Sequence, residues 1–119
     1  MSNSIIKDKS FKFSLDIIKV YNYLKSTKNE FVLSKQLLRS GTSIGANVKE
    51  GLKGQSRRDF LSKMSIALKE AEETEYWLEL LILSNYLDYK QEKLLLENCR
   101  ELCKILSSIV KTTKSNKIM

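Results

Sequence analysis

Residues 60–81 read FLSKMSIALKEAEETEYWLELL. Within them Phe60, Met64, Ala67, Ala71, Thr74, Leu78 and Leu81 recur at alternating steps of four and three. That period sets all seven on one stripe of an α-helix, and its persistence over three heptads makes a coiled-coil-like seam. A second row beside it runs Lys63, Ile66, Glu70, Glu73, Trp77 and Leu80. An apolar stripe needs other stripes to cover it, so the flanking sequence must supply them.

It supplies three. Downstream, Asn85-Tyr86-Leu87-Asp88 reads as a turn, and Asp88 with Gln91 can cap a helix whose core stripe is Leu95, Cys99, Leu102, Leu106 and Ile109. Upstream, Gly51 to Gln55 is a turn, Ser56 an N-cap, and Asp59 lies near the positive helix end. The helix before that turn carries Leu33, Leu37, Gly41, Ile44 and Val48, beside a polar row of Gln36, Ser40, Ser43, Asn47 and Glu50. Gly41 and Gly45 sit mid-helix, where each costs about 1 kcal/mol relative to Ala, so a closely approaching neighbour is expected at both. The first helix offers Phe13, Ile17, Val20 and Leu24, with Lys12, Asp16 and Lys19 on a solvated face. Thr27-Lys28-Asn29-Glu30 has the form of a capping box.

The chain has 119 residues, no proline and four glycines, which favours a few long helices in one domain. The expected helices span about 10–26, 30–53, 57–85 and 89–112, followed by a frayed basic tail from Thr112. Short connections make neighbours antiparallel, so the fold class is all-α, an up-and-down four-helix bundle. The segment Met1–Ser10 has no apolar leader core, and no apolar run approaches a membrane span, so a soluble, cytoplasmic protein is expected.

Histidine is absent, which removes the usual neutral-pH acid–base group and the commonest metal ligand. Cys99 and Cys103, four apart on one helix, would make half a metal site with nothing to complete it, and read as core thiols. Glu70, Glu72, Glu73 and Glu75 form an acidic run that reads as ion-pairing rather than metal-binding. Pivoting the second and third helices about Gly54 brings Arg39 level with Glu70 and Glu73, so a desolvated Arg39–carboxylate pair is expected. No catalytic residue, metal, cofactor, membrane or small-molecule substrate is expected.

The net charge of +7 favours acidic partners, and serves solubility as well. Residues 59–88 are acidic between basic flanks, which favours pairing of helices within or between subunits. Basic rows run along the second helix (Lys35, Arg39, Lys49, Lys53, then Arg57 and Arg58), the fourth (Lys93, Arg100, Lys104, Lys111, then Lys114 and Lys117) and the N-terminal segment (Lys7, Lys9, Lys12). Nucleic-acid contact is assigned to Arg57, Arg58, Lys93, Arg100, Lys104, Lys111 and Lys114. No aromatic-rich stacking platform accompanies them. Trp77, beside Tyr76, either flanks the core or anchors an interface. The alternative function is a scaffold that docks another protein through the third helix and Trp77.

Gln36, Arg39, Ser40, Ser43-Ile44, Asn47 and Glu50-Gly51 read Q-x-x-R-S-x-x-S-I-x-x-N-x-x-E-G. Asp59-Phe60, Ala67, Glu70, Glu73-Thr74 and Trp77-Leu78 read D-F, then A-x-x-E-x-x-E-T-x-x-W-L. Together these motifs resemble the bacterial family of proteins encoded in intervening sequences of 23S ribosomal RNA, over nearly the whole chain. The connection between the first two helices departs from relatives that have a longer, proline-containing loop. The resemblance implies a left-handed bundle assembled as a homopentamer. It also implies kinship with accessory proteins of diversity-generating retroelements, basic pentameric barrels that bind nucleic acid and a reverse transcriptase. It carries over no catalytic residues. Gln36, Arg39, Ser43, Asn47, Glu50, Glu70, Glu73 and Thr74 are expected to form a buried polar network between the second and third helices or across subunits. The function expected is a ring-forming, non-catalytic RNA-binding protein.

Overall fold

The computed structural model describes residues 2–117, with side chains for residues 5–115. These form four helices, α1 (Ser2–Ser26), α2 (Leu33–Leu52), α3 (Arg57–Leu83) and α4 (Tyr89–Lys117), and no strand. Each packs on the next in sequence, and α1 closes the square against α4 through the thinnest of the four seams. The bundle measures 51 × 22 × 21 Å.

The stripes read from the sequence face inward. Phe13, Ile17, Leu24, Leu37, Ile44, Val48, Met64, Ala67, Ala71, Leu78, Leu81, Cys99, Leu102 and Leu106 are all buried. Two boundaries differ from expectation. Helix α1 starts at Ser2 rather than near residue 10, because its stripe begins at buried Ile6 and passes through buried Ser10. Helix α4 runs to Lys117, so the residues after Thr112 continue the helix instead of fraying; Val110 is buried there and Thr113 Oγ1 donates to the Ile109 carbonyl at 2.7 Å.

The connection between α1 and α2 also corrects the capping box. Asn29, in the left-handed region at φ 54°, turns the chain, and α2 begins at Leu33 rather than near residue 30. Thr27 therefore lies too early to cap it. The buried Glu30 carboxylate does so, accepting from the amides of Val32 (3.2 Å), Leu33 (2.9 Å) and Ser34 (2.6 Å). A negative charge thus sits at the positive end of α2, where open amides converge.

The other two turns follow the sequence reading more closely. Ser56 Oγ accepts from the Asp59 amide (3.1 Å) and Asp88 Oδ2 from the Gln91 amide (3.1 Å). Beyond the end of α3 at Leu83 the chain turns on Asn85 at φ 69°, and the following amide, Tyr86, donates to the Leu81 carbonyl at 2.9 Å, a Schellman closure with asparagine in the glycine place.

Both mid-helix glycines face α1. A Cβ on Gly41 would stand 2.8 Å from Ile17 Cγ1 and 2.9 Å from Cγ2, and one on Gly45 would stand 3.2 Å from the Ser10 carbonyl oxygen. Their missing side chains let α1 and α2 approach closely along this seam.

Candidate nucleic-acid interface

Cross-helix contacts fix the relative heights of the helices. Glu50 pairs with Lys63 (3.4 Å), and Arg39 with Glu70 (3.2 Å) and Glu73 (2.6 Å). Arg100 pairs with Glu75 (2.9 Å) and Glu79 (2.8 Å), and Lys9 with Glu101 (3.3 Å). With Ser10 against Gly45, these contacts bring the start of α1, the end of α2, the start of α3 and the end of α4 to one end of the bundle.

That end is basic. It gathers Lys49 and Lys53 from α2 and its turn, Arg57 and Arg58 from the first turn of α3, and Lys111 and Lys114 from α4, all exposed. Exposed Lys7 and partly exposed Lys63 stand at the same height. Asp8, Glu50, Asp59 and, beside Lys111, Glu72 are acidic groups nearby, and Glu50 is tied to Lys63. Lys117 continues the row, though its side chain lies outside the described residues. Four residues of the expected phosphate-contacting set, Arg57, Arg58, Lys111 and Lys114, therefore converge. Lys104 is exposed roughly two turns of α4 further along, over a shallow hollow it shares with Glu72, Cys103, Ser107, Ser108 and Lys111.

The remaining two residues of that set lie elsewhere. Lys93 is exposed near the opposite end, about 30 Å from Lys114 at the rise of an α-helix. Arg100 lies across two carboxylates of α3, and its hydrogen bonds to Glu75 and then Glu79 raise its pKa. Lys7, Lys49, Lys53 and Lys63 join the cluster instead. Read along separate helix stripes, they share no pattern; only the antiparallel order of the helices assembles them.

The α2–α3 polar row is a ladder of separate rungs. Arg39 spans Glu70 and Glu73 but remains half exposed, so the pair is solvated rather than desolvated. The Glu73 hydrogen bond, against a smaller opposing effect of burial, raises the Arg39 pKa. The same bond, from Arg39, leads the lowering of Glu73. Below the surface, Thr74 and Ser40 hydroxyls meet at 2.8 Å, and Thr74 Oγ1 also lies 2.7 Å from the Glu70 carbonyl. Thr74 has one proton to give, so with that carbonyl as its acceptor, Ser40 donates to Thr74. Ser43 bonds back to the Arg39 carbonyl and Asn47 to the Ser43 carbonyl, both within α2, while Gln36 is exposed.

Trp77 is half-buried against the core, its ring centroid 5.0 Å from that of Tyr76 in a T-shaped pair, and its buried N–H has no acceptor among the described residues. Within the subunit it flanks the core, and Tyr76 beside it is the exposed ring. Cys99 is buried and donates to the Ala71 carbonyl at 3.4 Å. Its hydrogen bond with Cys103, then burial, push its thiol pKa up, while the same bond lowers that of half-buried Cys103. Among the described residues no three His, Cys, Asp or Glu side chains are grouped to hold a metal ion, and no helix is long and apolar enough to cross a membrane.

A comparison with curated proteins found no match. Among solved structures, the chain is similar to a protein of unknown function from the S23 ribosomal protein family of Bacteroides thetaiotaomicron. The two are 50% identical, with a TM-score of 0.90 over 93% of this chain and 99% of that one. The sequence model of the 23S rRNA-intervening sequence proteins matches residues 2–108. With a matching four-helix bundle and that span of sequence, the chain belongs to the 23S rRNA-intervening sequence protein family.

Proposed function

We propose that the chain is a non-catalytic, cytoplasmic protein that binds RNA through the basic end of its bundle and assembles into a ring. The observation that carries this reading is the convergence of Lys49, Lys53, Arg57, Arg58, Lys111 and Lys114 at one end. Clustered cations, without a geometry that reads bases, are what phosphate contact requires. Neither a cofactor nor a small-molecule substrate enters this reading.

Assembly adds to the effect. Five copies, the number the family resemblance implies, would carry a formal charge of 5 × 7 = +35. Several weak basic ends held together would bind one polyanion with far greater avidity than any one alone.

The test is fluorescence anisotropy with a labelled RNA at stepped salt concentrations. Affinity is expected to fall steeply as salt rises, because bound cations displace condensed counterions. Replacing Arg58 and Lys114 together by glutamine should lower the slope of log affinity against log salt by about two. Binding absent at low salt, or indifferent to salt, would overturn the proposal.

A further inference from the structure

An apolar groove between α1 and α2 opens beside the basic end and shares its cations. Phe11, Leu15 and Ile18, spaced four and three along α1, are exposed by 66%, 47% and 40%. Opposite them α2 offers Thr42, Gly45 and Ala46, which are too small to fill the space, and the hollow measures about 790 Å³. Three large apolar side chains side by side on one outer face exceed the scatter normal for a surface. Lys7 and Lys49 stand on the rim, with Asp8 as the acidic group among the lining residues. Both lysines are exposed and belong to the cation cluster described above.

A ligand that fills this groove must be apolar on its faces and tied to negative charge. Phe11 follows Lys7 by one turn of α1, about 6 Å along the helix. A nucleotide has the matching build, a phosphate joined to a flat base with a π-face. From Lys49 the cations run on to Lys53, Arg57 and Arg58, a stretch with no exposed large apolar side chain. Repeating phosphates can follow that track, whereas the apolar face of an acidic peptide would meet nothing along it. In a duplex the base faces are hidden in the stack, so only an unpaired base can reach the ring. A lone ring is not a reader of sequence, because every base offers a π-face.

We propose that the α1–α2 groove takes an unpaired RNA base against Phe11 while Lys7 and Lys49 hold the neighbouring phosphates. The RNA that follows the basic end is therefore single-stranded where it crosses the groove. This rests on the RNA reading above and names the form of RNA bound.

Anisotropy with two labelled RNAs tests it, one an unstructured strand and the other a blunt duplex carrying the same number of phosphates. Phe11→Ala is expected to weaken binding of the unstructured strand about tenfold and to leave the duplex unaffected. Its slope of log affinity against log salt should match that of the wild type, because Phe11 displaces no counterion. Phe11 is exposed, and circular dichroism checks that the variant keeps its helices and melting temperature. A Phe11→Trp variant carrying Trp77→Phe gives a second readout, its emission changing with the unstructured strand and not with the duplex. A wild type that binds neither RNA at low salt, or binds both without salt dependence, sinks the RNA reading itself. Salt-dependent binding that Phe11→Ala leaves unchanged, or weakens equally for both RNAs, overturns the groove assignment alone. So does a Phe11→Trp emission already blue-shifted before RNA is added and indifferent to it, the sign of a peptide, a lipid chain or another protein chain lying in the groove.

Discussion

Replacing Gly41 by alanine should destabilise the bundle even though alanine is the better helix former. The helix gain is about 1 kcal/mol. Against it, the new Cβ would meet Ile17 Cγ1 at 2.8 Å and Cγ2 at 2.9 Å. Both atoms are attached directly to the β-carbon of a fully buried, β-branched residue with little rotamer freedom, so relief requires moving a helix. Such overpacking costs about 1–3 kcal/mol, leaving a net loss of roughly 0–2 kcal/mol. At this chain length about 1 kcal/mol corresponds to roughly 4 °C, so thermal unfolding followed by circular dichroism resolves most of that range. The decisive comparison uses Ile17→Ala. That change alone should cost about 2–5 kcal/mol, but it removes the atoms that clash. In that background Gly41→Ala should stabilise, by about 1 kcal/mol, so the sign of its effect reverses. Gly45→Ala serves as the control, because its obstacle is the Ser10 backbone, which Ile17→Ala leaves in place. If Gly41→Ala raises the melting temperature in the wild type, or acts equally in both backgrounds, the close-packing account of this glycine is wrong.

Glu30→Gln should lower stability by about 1–2 kcal/mol in denaturant unfolding at neutral pH, since a charged cap to three amides becomes a neutral one. Glu73, with its pKa lowered by Arg39, contributes stability above its unfolded pKa and loses it as pH falls through the folded value. The acid limb of a stability–pH curve should therefore be shallower in Glu73→Gln. Glu92 has the opposite sign: burial, then Asp88 and Asp16, raise its pKa, so its charge costs stability at neutral pH. Glu92→Gln should raise the melting temperature at neutral pH and leave it unchanged in strong acid. With a thiol-reactive dye, Cys103 should react in the native protein and Cys99 only on unfolding; two equally fast thiols would contradict the burial of Cys99.

The helix period made the core legible because each inward residue is specified by its own helix, as with Ile17, Leu37, Leu78 and Leu102. It failed at the ends. Lys7-Asp8-Lys9 masks a stripe that continues through Ile6 and Ser10, and Ser10 belongs to it only because Gly45 brings α2 against its backbone. The Glu30 cap was obscured by Asn29, whose left-handed turn is a property of the folded loop. The pairing of Arg39 with Glu70 and Glu73 is legible because a short turn joins their helices, whereas its half exposure is not. The sequence alone assigns Arg100 to phosphate, because nothing along α4 reveals its height relative to Glu75 and Glu79. The basic end is legible in its members, since Lys49, Lys53, Arg57, Arg58, Lys111 and Lys114 all stand in basic rows; their meeting at one end is a property of helix order rather than of any stripe.

Three of the four helix seams join neighbours in the chain, and the fourth, between α1 and α4, is the thinnest. Mechanically the molecule is a hinged strip shut by a latch. Contacts between successive helices form early and quickly, and with no proline in the sequence no prolyl isomerisation delays them. The latch needs the two ends of the chain to meet, so it is expected to close last on folding and to open first on warming. Amide protons where α1 faces α4 should then exchange before those between α2 and α3.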